Sequence, residues 1–206
     1  MNAAWADLVQ KYELSESCVI KLQIYLDWLI AWNNKFNLTA ITNESEIINY
    51  HFNDSLSVSQ LFNINDLQMI ADVGAGAGFP GLPLKIVYPH LKLILIEVNG
   101  KKVEFLKSLV AELGLINVQI EQLDWRTFLR QGEYKVDLFC ARASLQVEEL
   151  VRIFKPGCVY KEAKLVYWAA KDWQPSAKVR DLISETFNYS VGERKRKLVL
   201  LQQKLS

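Results

Sequence analysis

The chain has few of the residues that carry thiol or metal chemistry: three cysteines and two histidines in 206 residues. Cys18, Cys140 and Cys158 lie far apart, are odd in number and sit in or beside apolar segments. They make neither a zinc ligand spacing nor a disulfide framework, so reduced cysteines are expected. His51 and His90 are remote from each other, and His90 follows Pro89 in a turn. No apolar run approaches the roughly 20 residues that a membrane span needs. The opening Met-Asn-Ala-Ala-Trp-Ala-Asp lacks a basic n-region and an apolar h-region, so no secretory signal is expected. No internal repeat or low-complexity linker is found. These absences lead to the expectation of a cytoplasmic chain with no membrane partner and no bound metal.

What is present is enough apolar material, 50% of the chain, for one α/β domain with an added subdomain. The net charge of +1 hides an asymmetry. Residues 1–66 hold three lysines against eight acidic residues, leaving 21 basic and 15 acidic groups to the rest. Such a split is expected when one part faces a polyanion, although a merely soluble surface gives the same count.

Residues 1–65 read as a helical subdomain. Leu22, Leu26, Leu29 and Ile30 repeat at helical spacing between Ser15 and Asn33, and a second helical segment spans 44–61. From 66 to 206 the pattern alternates apolar strands with helices, as a parallel sheet with crossover helices requires. Strands are predicted at 67–73, 92–97, 118–122, 136–141 and 164–170, followed by a hairpin of 187–191 and 197–202. Helices are predicted at 81–87, 101–113, 145–154 and 176–183. Five parallel strands closed by an antiparallel hairpin make the Rossmann-like α/β sheet of an S-adenosylmethionine-dependent methyltransferase.

The densest motif is Asp72-Val73-Gly74-Ala75-Gly76-Ala77-Gly78-Phe79-Pro80-Gly81, set between an apolar strand and a short helix. Closely spaced glycines let the backbone turn sharply and approach a ligand with no Cβ in the way. The helix start beyond them offers free N–H groups. Phe79 occupies the sixth position of what would be Gly-x-Gly-x-x-Gly, which argues against a dinucleotide and its pyrophosphate. The pattern suits a ligand without phosphate. Asp72 either faces the cationic amino-acid end of S-adenosylmethionine or braces the loop. Glu97 ends the second strand roughly 20 positions further on, where an acidic side chain accepts from ribose hydroxyls.

Asp124-Trp125-Arg126 follows the third strand, the place where such sheets hold an adenine. Trp125 either stacks on that ring or packs in the core. Arg142 ends the fourth strand and Lys171 the fifth, the carboxyl ends at which open α/β sheets bind ligands. Arg194-Lys195-Arg196-Lys197 is a run suited to phosphates or to a solvated turn. No Asp/Asn-Pro-Pro-Tyr/Phe motif marks an adenine amino-group methyltransferase, and no cysteine stands in the setting of a pyrimidine C5 enzyme. A small-molecule methyltransferase and a non-catalytic nucleotide-binding module remain alternative readings.

Taken together, the motifs resemble one family, the ribosomal small-subunit RNA methyltransferase G proteins, also called glucose-inhibited division protein B. The resemblance rests on Trp32-Asn33-x-x-x-Asn37-Leu38-Thr39, His51-Phe52-Asn53-Asp54-Ser55-Leu56, and the loop Gly74–Gly81. It rests equally on Gly100-Lys101-Lys102-Val103-Glu104-Phe105-Leu106, Ala141-Arg142-Ala143 and Gly192-Glu193-Arg194. It implies N7-methylation of one guanine in the decoding region of 16S ribosomal RNA, free or in a small-subunit precursor, by a monomer. Asp72, Gly74, Gly76, Gly78, Phe79, Glu97, Asp124, Trp125 and Arg126 are then cofactor-binding. Arg142 and Lys171 are catalytic, with Arg142 also touching the cofactor, and Lys101, Lys171 and Arg194 meet RNA. His51 with Asp54 reads as an internal tie between the subdomains. Four departures from the family pattern stand out: Ala77 for proline, Tyr50 for arginine, Asp172 for glycine, and the missing acidic pair at Trp125-Arg126. Guanine N7 already carries a lone pair, so no general base is required.

Overall fold

A computed structural model describes residues 2–203. The chain begins with α1 (Ala3–Tyr12) and α2 (Glu16–Phe36). Asn2 and Ser15 start them as caps, their side chains accepting the N–H groups of Trp5 and Cys18. Asn37 ends α2 in the left-handed region at φ 50°, a conformation asparagine tolerates. The next helical segment is composite. α3 (Glu44–Ile47) runs into a π-helical turn (Ile48–Asn53), then α4 (Asp54–Leu56) and a 3-10 turn (Ser57–Gln60).

The sheet alternates with helices as β1 (Met69–Val73), α5 (Gly81–Val87), β2 (Lys92–Ile96), α6 (Gly100–Glu112), β3 (Val118–Glu121) and α7 (Trp125–Gln131). It continues through β4 (Leu138–Arg142), α8 (Val147–Leu150), β5 (Lys164–Ala170), α9 (Ala177–Arg180), β6 (Ile183–Val191) and β7 (Arg194–Leu201). Its order is β3-β2-β1-β4-β5-β7-β6. β1 to β5 are parallel, and β7 pairs antiparallel with both β5 and β6. This is the expected five parallel strands closed by a hairpin.

Side chains alternate between two apolar cores, one on each face. Leu93, Leu95, Leu138 and Cys140 face the core shared with α1, α2, α4, α5 and α6. Ile94, Ile96, Phe139 and Ala141 face the core of α7, α8 and α9. By the same alternation Arg142, two residues beyond Cys140, points toward the amino-terminal helices.

Two elements differ from expectation. The segment after β3, where no helix was predicted, is the helix α7. Asp124 caps it by accepting the Thr127 N–H at 3.0 Å, and Trp125 and Phe128 bury its inner face. The helix expected over 176–183 is the single turn α9. Ile183 already pairs with Leu201 in a hairpin longer than its apolar residues suggested, because Glu185 and Asn188 are carried on the strand's exposed positions.

Candidate functional site

The carboxyl ends of β1, β2, β3 and β4 surround a cavity of about 280 Å³. Gly74, Glu97, Asp124 and Trp125 line it, together with Lys102 and Ser144. The loop after β1 is folded back over β2, the Gly74 and Ala75 N–H groups donating to the Ile96 carbonyl at 2.9 and 3.0 Å. Gly74 has φ +67°, and a Cβ there would come within 2.6 Å of Ser144 Cβ. Gly78 has φ +96°, and a Cβ would meet Leu82 Cδ1 at 2.5 Å. Both positions therefore require glycine for conformation and for space.

Glu97 anchors this wall. Its two carboxylate oxygens accept the Gly76 N–H at 2.8 Å and the Asn99 N–H at 2.9 Å. Each oxygen keeps a further lone pair for a ligand. Asp72 lies beneath the loop, fully buried, and its Oδ2 accepts the Gly81 N–H at 2.8 Å. Its Oδ1 has no partner, and neither does the buried Ser144 Oγ. Burial pushes the Asp72 carboxyl up to about 7, with Glu97 adding to the rise and the Gly81 N–H and Arg142 opposing it. Trp125 packs against Phe139 with ring centres 5.4 Å apart while lining the cavity, and its Nε1 donates to the Glu149 carbonyl at 3.0 Å.

Arg142 stands behind the loop instead of on the cavity wall. Its Nη1 donates to Asp54 Oδ2 at 2.9 Å and to the Tyr50 carbonyl at 2.8 Å, and its Nη2 lies 3.1 Å from His51 Nδ1. The π-helical turn makes this possible: the Asp54 N–H donates to the Asn49 and His51 carbonyls and skips that of Tyr50. Asp54 also takes Arg196 Nη2 at 2.8 Å and the Tyr189 hydroxyl at 2.6 Å, while its backbone carbonyl accepts Trp168 Nε1 at 2.9 Å. The buried Asp54 carboxylate thus joins the composite helix to β4, β6 and β7, and its backbone carbonyl adds β5. Burial alone would raise its pKa, but Arg142 and Arg196 hold it below the usual carboxylate range.

His51 extends the network. Burial first, and then the Arg142 cation, bring its imidazole down to about 3, so the ring is neutral. With Arg142 donating to Nδ1, the ring proton is assigned to Nε2, which faces Thr39 Oγ1 at 2.9 Å. The Thr39 N–H in turn donates to Asn33 Oδ1 at 2.8 Å. His51 and Asp54 tie the helices to the sheet by sharing Arg142, each bonding that guanidinium. Phe79 is stacked between Tyr25 and His51 at 5.0 and 4.6 Å, with the Arg142 guanidinium 5.2 Å from its ring centre.

The remaining predicted residues are spread around this centre. Gly76 and Gly78 shape the loop. Arg126, one residue from the cavity wall, turns outward into a two-point ion pair with Glu149, with bonds of 2.6 and 3.0 Å. Lys101 is exposed on the first turn of α6, its Nζ 5.8 Å from the Phe36 ring. Lys171 is exposed in the turn after β5. Arg194 lies over the Tyr50 ring at 3.8 Å. Sequence reasoning missed Ser144, Lys102, Tyr189 and Arg196. The cation run had marked Arg196 for phosphates or a solvated turn and not for a buried carboxylate.

A seven-stranded sheet of this order, with a glycine turn after β1 and a cavity over the strand ends, defines a Rossmann-like methyltransferase fold. The human methyltransferase 10 domain containing protein superposes on it with a TM-score of 0.60 at 13% identity, covering 88% of this chain and 96% of that one. A family model described as rRNA small subunit methyltransferase G matches residues 19–189. A protein named ribosomal RNA small subunit methyltransferase G from Macrococcus caseolyticus is 40% identical over 147 residues, 70% of this chain. One of the same name from Aster yellows witches'-broom phytoplasma is 37% identical over 172 residues, 81% of this chain. The matched part spans 61% of the former relative's length and 78% of the latter's. The chain belongs to the rRNA small subunit methyltransferase G family.

Proposed function

We propose that the chain transfers a methyl group from S-adenosylmethionine to N7 of a guanine in the decoding region of 16S ribosomal RNA. The observation that carries this reading is the cavity at the strand ends, with Gly74, Glu97, Asp124 and Trp125 in its lining, in a chain of this family. The residues present fit the cofactor. Glu97 would take the ribose hydroxyls, Asp124 and Trp125 the adenine, and the loop at Gly74–Gly78 with the unpartnered Ser144 Oγ the amino-acid end. The bound cofactor supplies a sulfonium methyl open to attack by a lone pair.

The protein's contribution is positioning. Guanine N7 attacks without losing a proton, so no side chain has to act as a base. The neutral His51 and the fully paired Asp54 agree with that demand. Lys171 is assigned to the guanine and its phosphate, Lys101 and Arg194 to neighbouring RNA, and Arg142, held behind the loop by Tyr50, His51 and Asp54, to fixing the loop that positions the donor. Residues 1–65 act as a helical subdomain that holds Arg142 from behind, and residues 66–206 as the methyltransferase domain. The protein works as a cytoplasmic monomer on 16S RNA or a small-subunit precursor. The absence of any helix long and apolar enough to cross a membrane, among the described residues, is compatible with that place.

The test is to map 7-methylguanine in 16S RNA from cells with and without the gene, and in transcripts incubated with the purified protein and cofactor. One decoding-region guanine should lose its methyl group in the deletion and regain it in vitro. Unchanged methylation in the deletion would sink the reading.

A further inference from the structure

On the outer side of α7, Arg126, Arg130, Arg152 and Lys155 surround a second cavity of about 360 Å³, with Leu129, Gly157 and Cys158 completing its wall. We propose that this cavity is a phosphate-contacting site for the RNA substrate, taking the sugar-phosphate backbone beside the methylated region. The proposal rests on the RNA-methyltransferase reading above and adds a docking site to it.

Three observations carry it. The first is an excess of positive charge. Four cations converge on one cavity, against Glu149, which pairs with Arg126 and with Arg152, each at 2.6 Å, and the nearby Asp124 at the start of α7. Arg126 and Arg130 are four apart on α7, and Arg152 and Lys155 are three apart in the turn after α8. Such like-charge spacings cost free energy until an anion enters.

The second is preorganisation. Glu149 holds two guanidinium forks, and Thr127 Oγ1 accepts Arg130 Nη2 at 3.1 Å. Oriented guanidinium groups suit the paired oxygens of a phosphodiester. The apolar strip at Leu129 and Cys158 leaves room for a ribose.

The third is continuity with the methyl-transfer site. Trp125 lines the cofactor cavity and Arg126, the next residue, lines the basic one. The Trp125 indole donates to the carbonyl of Glu149, whose carboxylate fixes the arginines. Lys171 follows β5 and Arg194 starts the antiparallel β7, so further cations stand at the carboxyl ends of the parallel strands, the end at which the cofactor cavity lies.

The test uses the double variant Arg130→Ala/Lys155→Ala in the full chain, which leaves both Glu149 ion pairs intact. Binding of a 16S RNA transcript is measured across a series of salt concentrations. Loss of two phosphate contacts should lower the slope of log affinity against log salt by about 1.4 to 1.8 and weaken binding about tenfold near physiological salt. The thermal shift produced by S-adenosylhomocysteine should be unchanged, which separates lost docking from lost folding. Arg130→Lys should keep most of the slope. An unchanged slope in the double variant, with a wild-type chain that binds and methylates RNA, overturns the docking site alone. Loss of stabilisation by inorganic phosphate with RNA affinity intact also overturns it, in favour of a free small anion. A wild-type chain that binds no RNA overturns both this site and the functional reading beneath it.

Discussion

Two carboxylates in this protein are each held between two arginines, and their settings differ. Asp54 takes Arg142 and Arg196 with its own side chain 1% exposed. Glu149 takes Arg126 and Arg152 with its side chain 26% exposed and Arg126 at 60%. The chemistry is the same, yet water decides what each achieves. At Asp54 the charges have given up hydration and rely on one another, so the cluster fixes the relative placement of three strands and a helix. At Glu149 water screens the pairs, so they orient side chains and contribute little stability.

The sharpest way to break this comparison is Asp54→Ala. It leaves Arg142 and Arg196 facing each other without a counter-charge and orphans the Tyr189 hydroxyl. Removing one partner of a buried pair costs about 3–5 kcal/mol. Urea denaturation should report a loss of that size, and a loss near zero would mean that the cluster is not what holds the helices to the sheet.

A second pair of groups responds to pH in opposite directions. Burial holds Asp72 up near 7, so the native state keeps a proton that the unfolded chain releases. That contribution to stability falls as pH rises from about 4 to about 7. Burial and Arg142 hold His51 down near 3, so the unfolded chain binds a proton that the native state refuses. That contribution is lost as pH falls below about 6.5. Between pH 4 and 6.5 the two slopes oppose each other. Asp72→Asn should therefore expose a loss of stability toward acid, steeper than wild type by on the order of 3 kcal/mol across that window. His51→Gln should tilt the profile the other way. Parallel profiles for wild type and Asp72→Asn in urea titrations at stepped pH would refute the assignment.

Arg142→Lys probes geometry, since it keeps the charge while giving up the fork that reaches Tyr50, His51 and Asp54 together. Methyl transfer to 16S RNA should fall about 100-fold, the scale expected when a positioning contact shifts by an ångström. Wild-type turnover would remove Arg142 from the reaction. The smallest effect belongs to the exposed cluster. Glu149→Gln should leave the urea midpoint indistinguishable from wild type, and a shift comparable to that of Asp54→Ala would erase the contrast between the two carboxylates.

Much of this was readable in the residues, for reasons that are local. The glycine loop, Glu97 at a strand end and the alternation of strands and helices all follow from short-range conformational rules. The composite helix is different. A π-helical turn at Ile48–Asn53 leaves no pattern in the sequence, yet it decides which carbonyl meets Arg142. Arg126 was assigned to the cofactor because it follows Asp124 and Trp125. The structure turns it outward, since consecutive side chains on a helix point in different directions and α7 had not been foreseen. Ser144 went unnoticed because its importance is a matter of proximity: it faces Gly74 across 70 residues of chain.

The sequence by itself determined the fold class, the family and the loop at Asp72–Gly81, because periodicity and glycine placement act over a few residues. Tertiary structure alone decided that the family's scattered motifs form one connected chain of bonds, from Asn33 through Thr39 and His51 to Arg142 and Asp54. It also decided that two similar arginine–carboxylate clusters do different work. Burial and distance are properties of the folded chain, and they set the strength of every charge in it.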